Sequence, residues 1–230
     1  MIKAVAWDID GTLVDSEPLH LFALQDVCGA HGVDISDLSD AHFIGVHIGD
    51  VWRELAPRFP SRVTFAEWSH QIETAYSNNR DRLVEIPGAA ETVARLAALG
   101  VRQVAVSNSN RRVVDANLEA IGIADLMEFT ISLDDVCEGK PDPFPYRLAC
   151  YRLGLSPDAV LAVEDSATGV ASAERAGMPV LFLRAPGGRV PEPARAIDGP
   201  PDVLKLLAEA TDTRASATRR HRDDPVARID

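Results

Sequence analysis

The sequence predicts an α/β fold: a parallel sheet flanked by helices on both faces, with an inserted α-helical cap domain after the first strand. Short apolar runs recur along the chain without strict polar alternation, as strands buried on both faces require. Helical patterns separate these runs, and such alternation implies parallel pairing through crossover connections. The alternation fails once, between residues 16 and about 86, where helical patterns follow one another with no clear strand between them.

In chain order, Val5-Ala6-Trp7 is the first strand. The insert has helical stretches around Leu19 to Cys28, Gly49 to Leu55 and Phe65 to Tyr76. It is entered through Asp15-Ser16-Glu17-Pro18 and left through Ile86-Pro87-Gly88, both turn-forming, which predicts a hinged lid close to the sheet end. Trp52 and Trp68 fit the core of this insert better than a ligand platform. A helix over 88–99 ends at Gly100, and one over 110–121 places Val114, Leu118 and Ile121 on one face before Gly122. Between and after them come strands at Val104-Ala105-Val106, Phe129-Thr130-Ile131, Val160-Leu161-Ala162-Val163 and Val180-Leu181-Phe182-Leu183, with helices over 143–153 and 167–176. The expected division is a core of residues 1–15 and 87–210, a helical cap of residues 16–86, and a disordered tail over 211–230, which is arginine-rich and without period.

With 230 residues, 46% of them hydrophobic, the chain can bury a sizeable core. A net charge of -12 excludes nucleic acid and an anionic membrane surface as expected partners, since both need a basic face. A small anionic ligand remains compatible, because charge is screened beyond about 8 Å and cations inside a pocket decide locally. Cys28, Cys137 and Cys150 show no metal-type spacing and read as reduced thiols. No apolar run reaches the ~20 residues of a membrane span, and Asp8 and Asp10 interrupt the N-terminal one, so a cytoplasmic protein, monomeric or weakly homo-oligomeric, is expected.

In AWDIDGTLVD, Asp8 and Asp10 stand two residues apart where the first strand stops. Residues i and i+2 of an extended segment share one side, so both carboxylates can face one ligand. Parallel sheets collect ligands beyond the carboxyl ends of their strands. The second strand delivers Ser107 and Asn108 there, the loop after the third carries Lys140, and the fourth delivers Glu164 and Asp165. Singly, these are a turn, a helix cap, a rigid loop and a solvated helix start. At four strand ends in succession they point to one acidic centre holding a lysine.

The motifs DIDGTLVDSE, VSNS, GKPDP and VEDSATG, within about residues 2 to 185, resemble the haloacid dehalogenase superfamily. The branch is the one with a helical cap after the first strand, which includes sugar-phosphate phosphatases and β-phosphoglucomutase. The resemblance implies a Rossmann-like core and a phosphoric monoester hydrolase that takes a small phosphorylated metabolite. It makes Asp8 the nucleophile that becomes an aspartyl-phosphate, and Asp10 the general acid and then base. It also implies Mg2+ held by Asp8, the Asp10 carbonyl, Asp165 and Glu164, with Lys140, Ser107 and Asn108 on the phosphate. Chemical need agrees: phosphoryl transfer requires a nucleophile, a proton donor and positive charge around the phosphoryl group. His20, Gly45 and His47 are the candidates for substrate choice in the cap. Asp10 argues against a dehalogenase, whose halide needs no proton, and the absence of a cap lysine excludes Schiff-base chemistry there. A phosphosugar mutase stays open as an alternative, as does a phosphoryl-accepting switch without hydrolysis.

Overall fold

The computed structural model describes residues 1–43, 46, 48–184 and 189–208. In chain order its strands are β1 (Ala4–Trp7), β2 (Val14–Asp15), β3 (Val84–Glu85), β4 (Arg102–Val106), β5 (Thr130–Ile131), β6 (Val160–Glu164), β7 (Val180–Leu183) and β8 (Arg195–Ile197). The helices are α1 (Glu17–Ala30), α2 (Ile48–Leu55), α3 (Phe65–Asn78), α4 (Ala89–Ala98), α5 (Arg111–Ala120), α6 (Phe144–Leu153) and α7 (Ala167–Ala176), and residues 201–208 form a further helix, α8. Among the described residues no helix is long and apolar enough to cross a membrane.

Six strands form one parallel, Rossmann-like sheet in the order β5-β4-β1-β6-β7-β8. Side chains of successive strand residues point to opposite faces, and the core divides accordingly. Val5, Trp7, Ala105, Leu161 and Val163 face α4 and α5, meeting Val93, Leu96, Val114 and Leu118. Ala4, Ala6, Val104, Val106 and Ala162 face α6 and α7, meeting Tyr146, Leu153, Val170 and Ala173. Burial on both faces is what the continuous apolar runs express. Buried Gln103 of β4 is matched internally: Trp7 Nε1 donates to Gln103 Oε1 at 3.0 Å, and Gln103 Nε2 donates to the Val93 carbonyl at 2.9 Å.

The insert builds a third core from α1, α2 and α3, with Trp68, Tyr76 and Leu55 fully buried and Trp52 stacked 5.0 Å from Trp68. Helix α3 starts at a capping box, Thr64 Oγ1 accepting from the Glu67 amide at 3.2 Å while Glu67 Oε2 accepts from the Thr64 amide at 3.0 Å. Val113 and Ala116 of α5 join this third core, so the insert packs against a core helix.

Four elements differ from the sequence reading. β2 and β3 pair antiparallel across the two connections of the insert, Val14 with Glu85 and Asp15 with Val84. β8 extends the sheet beyond β7 although Arg195-Ala196-Ile197 forms no apolar run. α8 adds Val203 to the first core. β2, β3 and β8 bury too few side chains to leave a hydrophobic signature, whereas β5, at the other edge, keeps one through Ile131 in the core and Phe129 packed against it.

Candidate active site

Strand order places the chemistry. β1 lies between β4 and β6, with Trp7 level with Ala105 on one side and Val163 on the other. Asp8, the next residue, therefore emerges beside the ends of both neighbours, and its amide donates to the Val163 carbonyl at 2.9 Å. Gly11 then turns the chain in the left-handed region at φ 80, and a Cβ there would stand 2.0 Å from Asp165 Oδ2. Only glycine permits that approach.

Lys140 is buried among these strand ends. Its ammonium has three donors, and each has a partner: Asp8 Oδ1 at 2.6 Å, Glu164 Oε1 at 2.6 Å and the Val106 carbonyl at 2.7 Å. Burial would lower the lysine pKa, but the charges of Asp8 and Glu164 and their hydrogen bonds hold it above its ordinary value. Tyr146 of α6 also donates its hydroxyl to Glu164, which is fully buried. Gly169, in the first turn of α7, makes room for that carboxylate, since a Cβ there would fall 1.9 Å from Glu164 Oε2.

Asp10 points away from this cluster into a ring of donors. Its Oδ2 accepts from Ser107 Oγ at 3.1 Å and from Ser109 Oγ at 2.8 Å. Its Oδ1 accepts from Asn117 Nδ2 at 3.0 Å and lies 3.6 Å from His20 Nε2. Burial would raise the Asp10 pKa, but His20 beside it and the Ser109 hydroxyl outweigh it and hold the carboxyl below the usual carboxylate range.

Asp8, Glu164 and Asp165 each present an oxygen within 4.8 Å of one another, close enough to hold one metal ion. Burial pushes Asp8 up, Lys140 pulls it down and the neighbouring acids raise it again, leaving it well above the ordinary 3.8. Burial and Glu164 likewise push Asp165 up to about 7. One lysine thus faces an excess of carboxylate in a buried place, with hard oxygen donors converging from two loops. That donor set fits a small divalent cation such as Mg2+.

All seven core residues singled out in the sequence meet here. Asn108 has an unforeseen task, since its side chain spans both backbone groups of Lys140: Nδ2 donates to the carbonyl at 2.9 Å and Oδ1 accepts from the amide at 2.7 Å. It ties the second motif loop to the third. Of the insert candidates, His20 sits on the site, stacked 4.5 Å from the Tyr76 ring; Gly45 and His47 lie outside the described residues. Sequence reasoning missed Ser109, Asn117, Tyr76 and Tyr146. Ser109 stood inside a quoted motif, while the other three occupy helix positions that read as packing.

Carboxylates and a buried lysine thus converge at the carboxyl edge of a parallel α/β sheet, where such folds collect their ligands. The chain belongs to the haloacid dehalogenase-like hydrolases, whose family model matches residues 2–177. It is 28% identical over 178 residues to validoxylamine A 7'-phosphate phosphatase of Streptomyces hygroscopicus subsp. limoneus, covering 77% of this chain and 84% of that one. It is 31% identical over 195 residues to phosphoglycolate phosphatase of Chromobacterium violaceum, covering 79% and 85%. Among solved structures, CbbY from Rhodobacter sphaeroides in complex with phosphate superposes with a TM-score of 0.75 at 26% identity, covering 87% of this chain and 95% of that one.

Proposed function

We propose that this chain is a Mg2+-dependent phosphatase that hydrolyses a small phosphomonoester of a sugar, sugar acid or polyol through an aspartyl-phosphate on Asp8. The observation that carries the reading is the Asp8 carboxylate, 7% exposed and held at 2.6 Å by Lys140, with Asp10 two residues along in a separate ring of donors. The phosphatase relatives and the phosphate bound by CbbY support it.

In the first step an Asp8 oxygen bonds to phosphorus, the ester P–O bond breaks, and Asp10 gives its proton to the departing alkoxide. In the second step Asp10 takes a proton from water, the hydroxide attacks phosphorus, and the Asp8–phosphorus bond breaks to release inorganic phosphate. Without substrate the donor ring holds Asp10 ionised, as the second step requires. A phosphate dianion beside it favours the protonated form that the first step requires. Lys140 orients Asp8 and offsets charge on the transferring group, and Ser107 adds a hydroxyl donor. Asp8, Glu164, Asp165 and the Asp10 carbonyl would hold Mg2+, which when bound supplies positive charge to the phosphoryl oxygens. Residues 16–86 act as the cap that covers the site and chooses the substrate.

The insert arginines favour a phosphatase over a mutase, which must hold a second phosphate in its cap. Four of the five are engaged elsewhere: Arg53 on Asp50, Arg58 on Asp37, Arg80 near Glu119 and Arg82 over the Phe22 ring. The test is a screen of phosphorylated metabolites with Mg2+ and with EDTA, reading both released phosphate and isomerised product. Phosphate release that needs Mg2+ and disappears in Asp8→Asn is expected. Isomerised sugar phosphate with a bisphosphate primer, or full turnover by Asp8→Asn, would overturn the reading.

A further inference from the structure

Asp10 lies in the core, yet one of its donors is tied to the insert. Asn117 of α5 donates from Nδ2 to Asp10 Oδ1 at 3.0 Å, while its own Oδ1 accepts from the Tyr76 hydroxyl of α3 at 2.6 Å. Both side chains are fully buried. The direction of the chain is set by chemistry: an ionised Asp10 only accepts, so the amide must present its N–H to Asp10 and its oxygen to the tyrosine. Tyr76 also stacks against His20, the other group at Asp10 Oδ1. Beside the apolar contacts of Val113 and Ala116, the α3–α5 seam carries two more polar pairs, with Asn110 Nδ2 donating to Glu73 Oε1 at 2.5 Å and Arg112 Nη1 donating to Thr74 Oγ1 at 2.7 Å. Seating α3 on α5 therefore completes the hydrogen bonds that aim Asp10.

We infer that Asn117 is a positioning residue for Asp10, and that Tyr76 makes this positioning depend on the seating of insert helix α3. Leaving-group protonation is then complete only when the insert is docked. The inference rests on the phosphatase reading and deepens it. A buried, fully satisfied polar chain is costly to leave half made, so its loss displaces the carboxylate it holds.

The test is the leaving-group dependence of kcat/KM, a parameter that reports departure of the alcohol and not the later attack of water. With Mg2+ present, wild type, Asn117→Ala and Tyr76→Phe are compared on p-nitrophenyl phosphate and phenyl phosphate, similar in shape. The nitrophenolate leaves with little need of a proton, whereas phenol, of pKa ~10, needs one. Misplacing a general acid costs the substrate that depends on it. Asn117→Ala should lose about tenfold more kcat/KM on phenyl phosphate than on p-nitrophenyl phosphate, and Tyr76→Phe about threefold more, with circular dichroism unchanged. Equal losses on both substrates would mean a structural role only and overturn the inference. A selective loss in Asn117→Ala with none in Tyr76→Phe would overturn the dependence on the insert. If Asn117→Ala fails to fold, Tyr76→Phe, which keeps its ring in place, decides alone. Wild-type protein that releases phosphate from neither substrate nor from any metabolite would instead sink the phosphatase reading itself.

Discussion

Lys140 and Asp8 respond oppositely to substitution because one cation faces several acids. Removing the lysine leaves Asp8 and Glu164 buried without a counter-charge, a loss of about 3–5 kcal/mol for a broken buried pair. Lys140→Met should therefore melt well below wild type in a thermal scan without Mg2+. Asp8→Asn keeps the shape of the side chain and removes one member of the acidic excess. It should melt no lower than wild type while phosphate release falls by orders of magnitude; a large loss of stability would contradict the charge balance drawn here. These residues were legible because short motifs with fixed spacing carry them to adjacent strand ends. Asn117 and Tyr76 were not legible: they are 41 residues apart from each other, and Asn117 is 107 from Asp10. On the helical period each falls on a buried face, where an apolar neighbour gives the same pattern.

Among the elements, α3 has the most explicit local code, and its capping box can be measured. Thr64→Ala removes the acceptor for the Glu67 amide and should cost about 1 kcal/mol, a fall in Tm of about 2–4 °C for a chain of this size. Helix faces also govern the thiols. Cys28 on α1 and Cys150 on α6 are buried, and burial pushes each up to about 11, whereas Cys137 is exposed in a loop. At about pH 8 a thiol with that pKa is thiolate in roughly one molecule in a thousand. A disulfide reagent such as DTNB should thus label one cysteine quickly in the folded protein and the other two only on unfolding; rapid labelling of all three would show that these faces open. The same burial logic explains which elements the sequence reveals. β1, β4, β6 and β7 are sandwiched between helices and appear as apolar runs, while β8 at the sheet edge and the β2–β3 ribbon depend on backbone pairing, to which residue type is nearly indifferent.

At the scale of the whole molecule, the six-stranded order concentrates acid at its centre in a chain whose net charge is already -12. That concentration links the fold to pH and to Mg2+. With Asp165 pushed from the ordinary 3.8 up to about 7, the folded protein binds more protons than the unfolded chain between those values. Stability without metal should then fall as pH rises through that window, because the folded state must give up a proton that the unfolded state has already lost. At the site proposed for it, Mg2+ would take the place of the proton among the same oxygens, and could do so only where the carboxyls ionise. The rise in Tm on adding Mg2+ should accordingly be small at about pH 5.5 and several times larger at about pH 8, and EDTA should reverse it. Asp165→Asn should remove most of the high-pH gain. A Mg2+ effect of equal size at both pH values, or one that survives in Asp165→Asn, would place the ion elsewhere and detach the acidic centre from the role proposed for it.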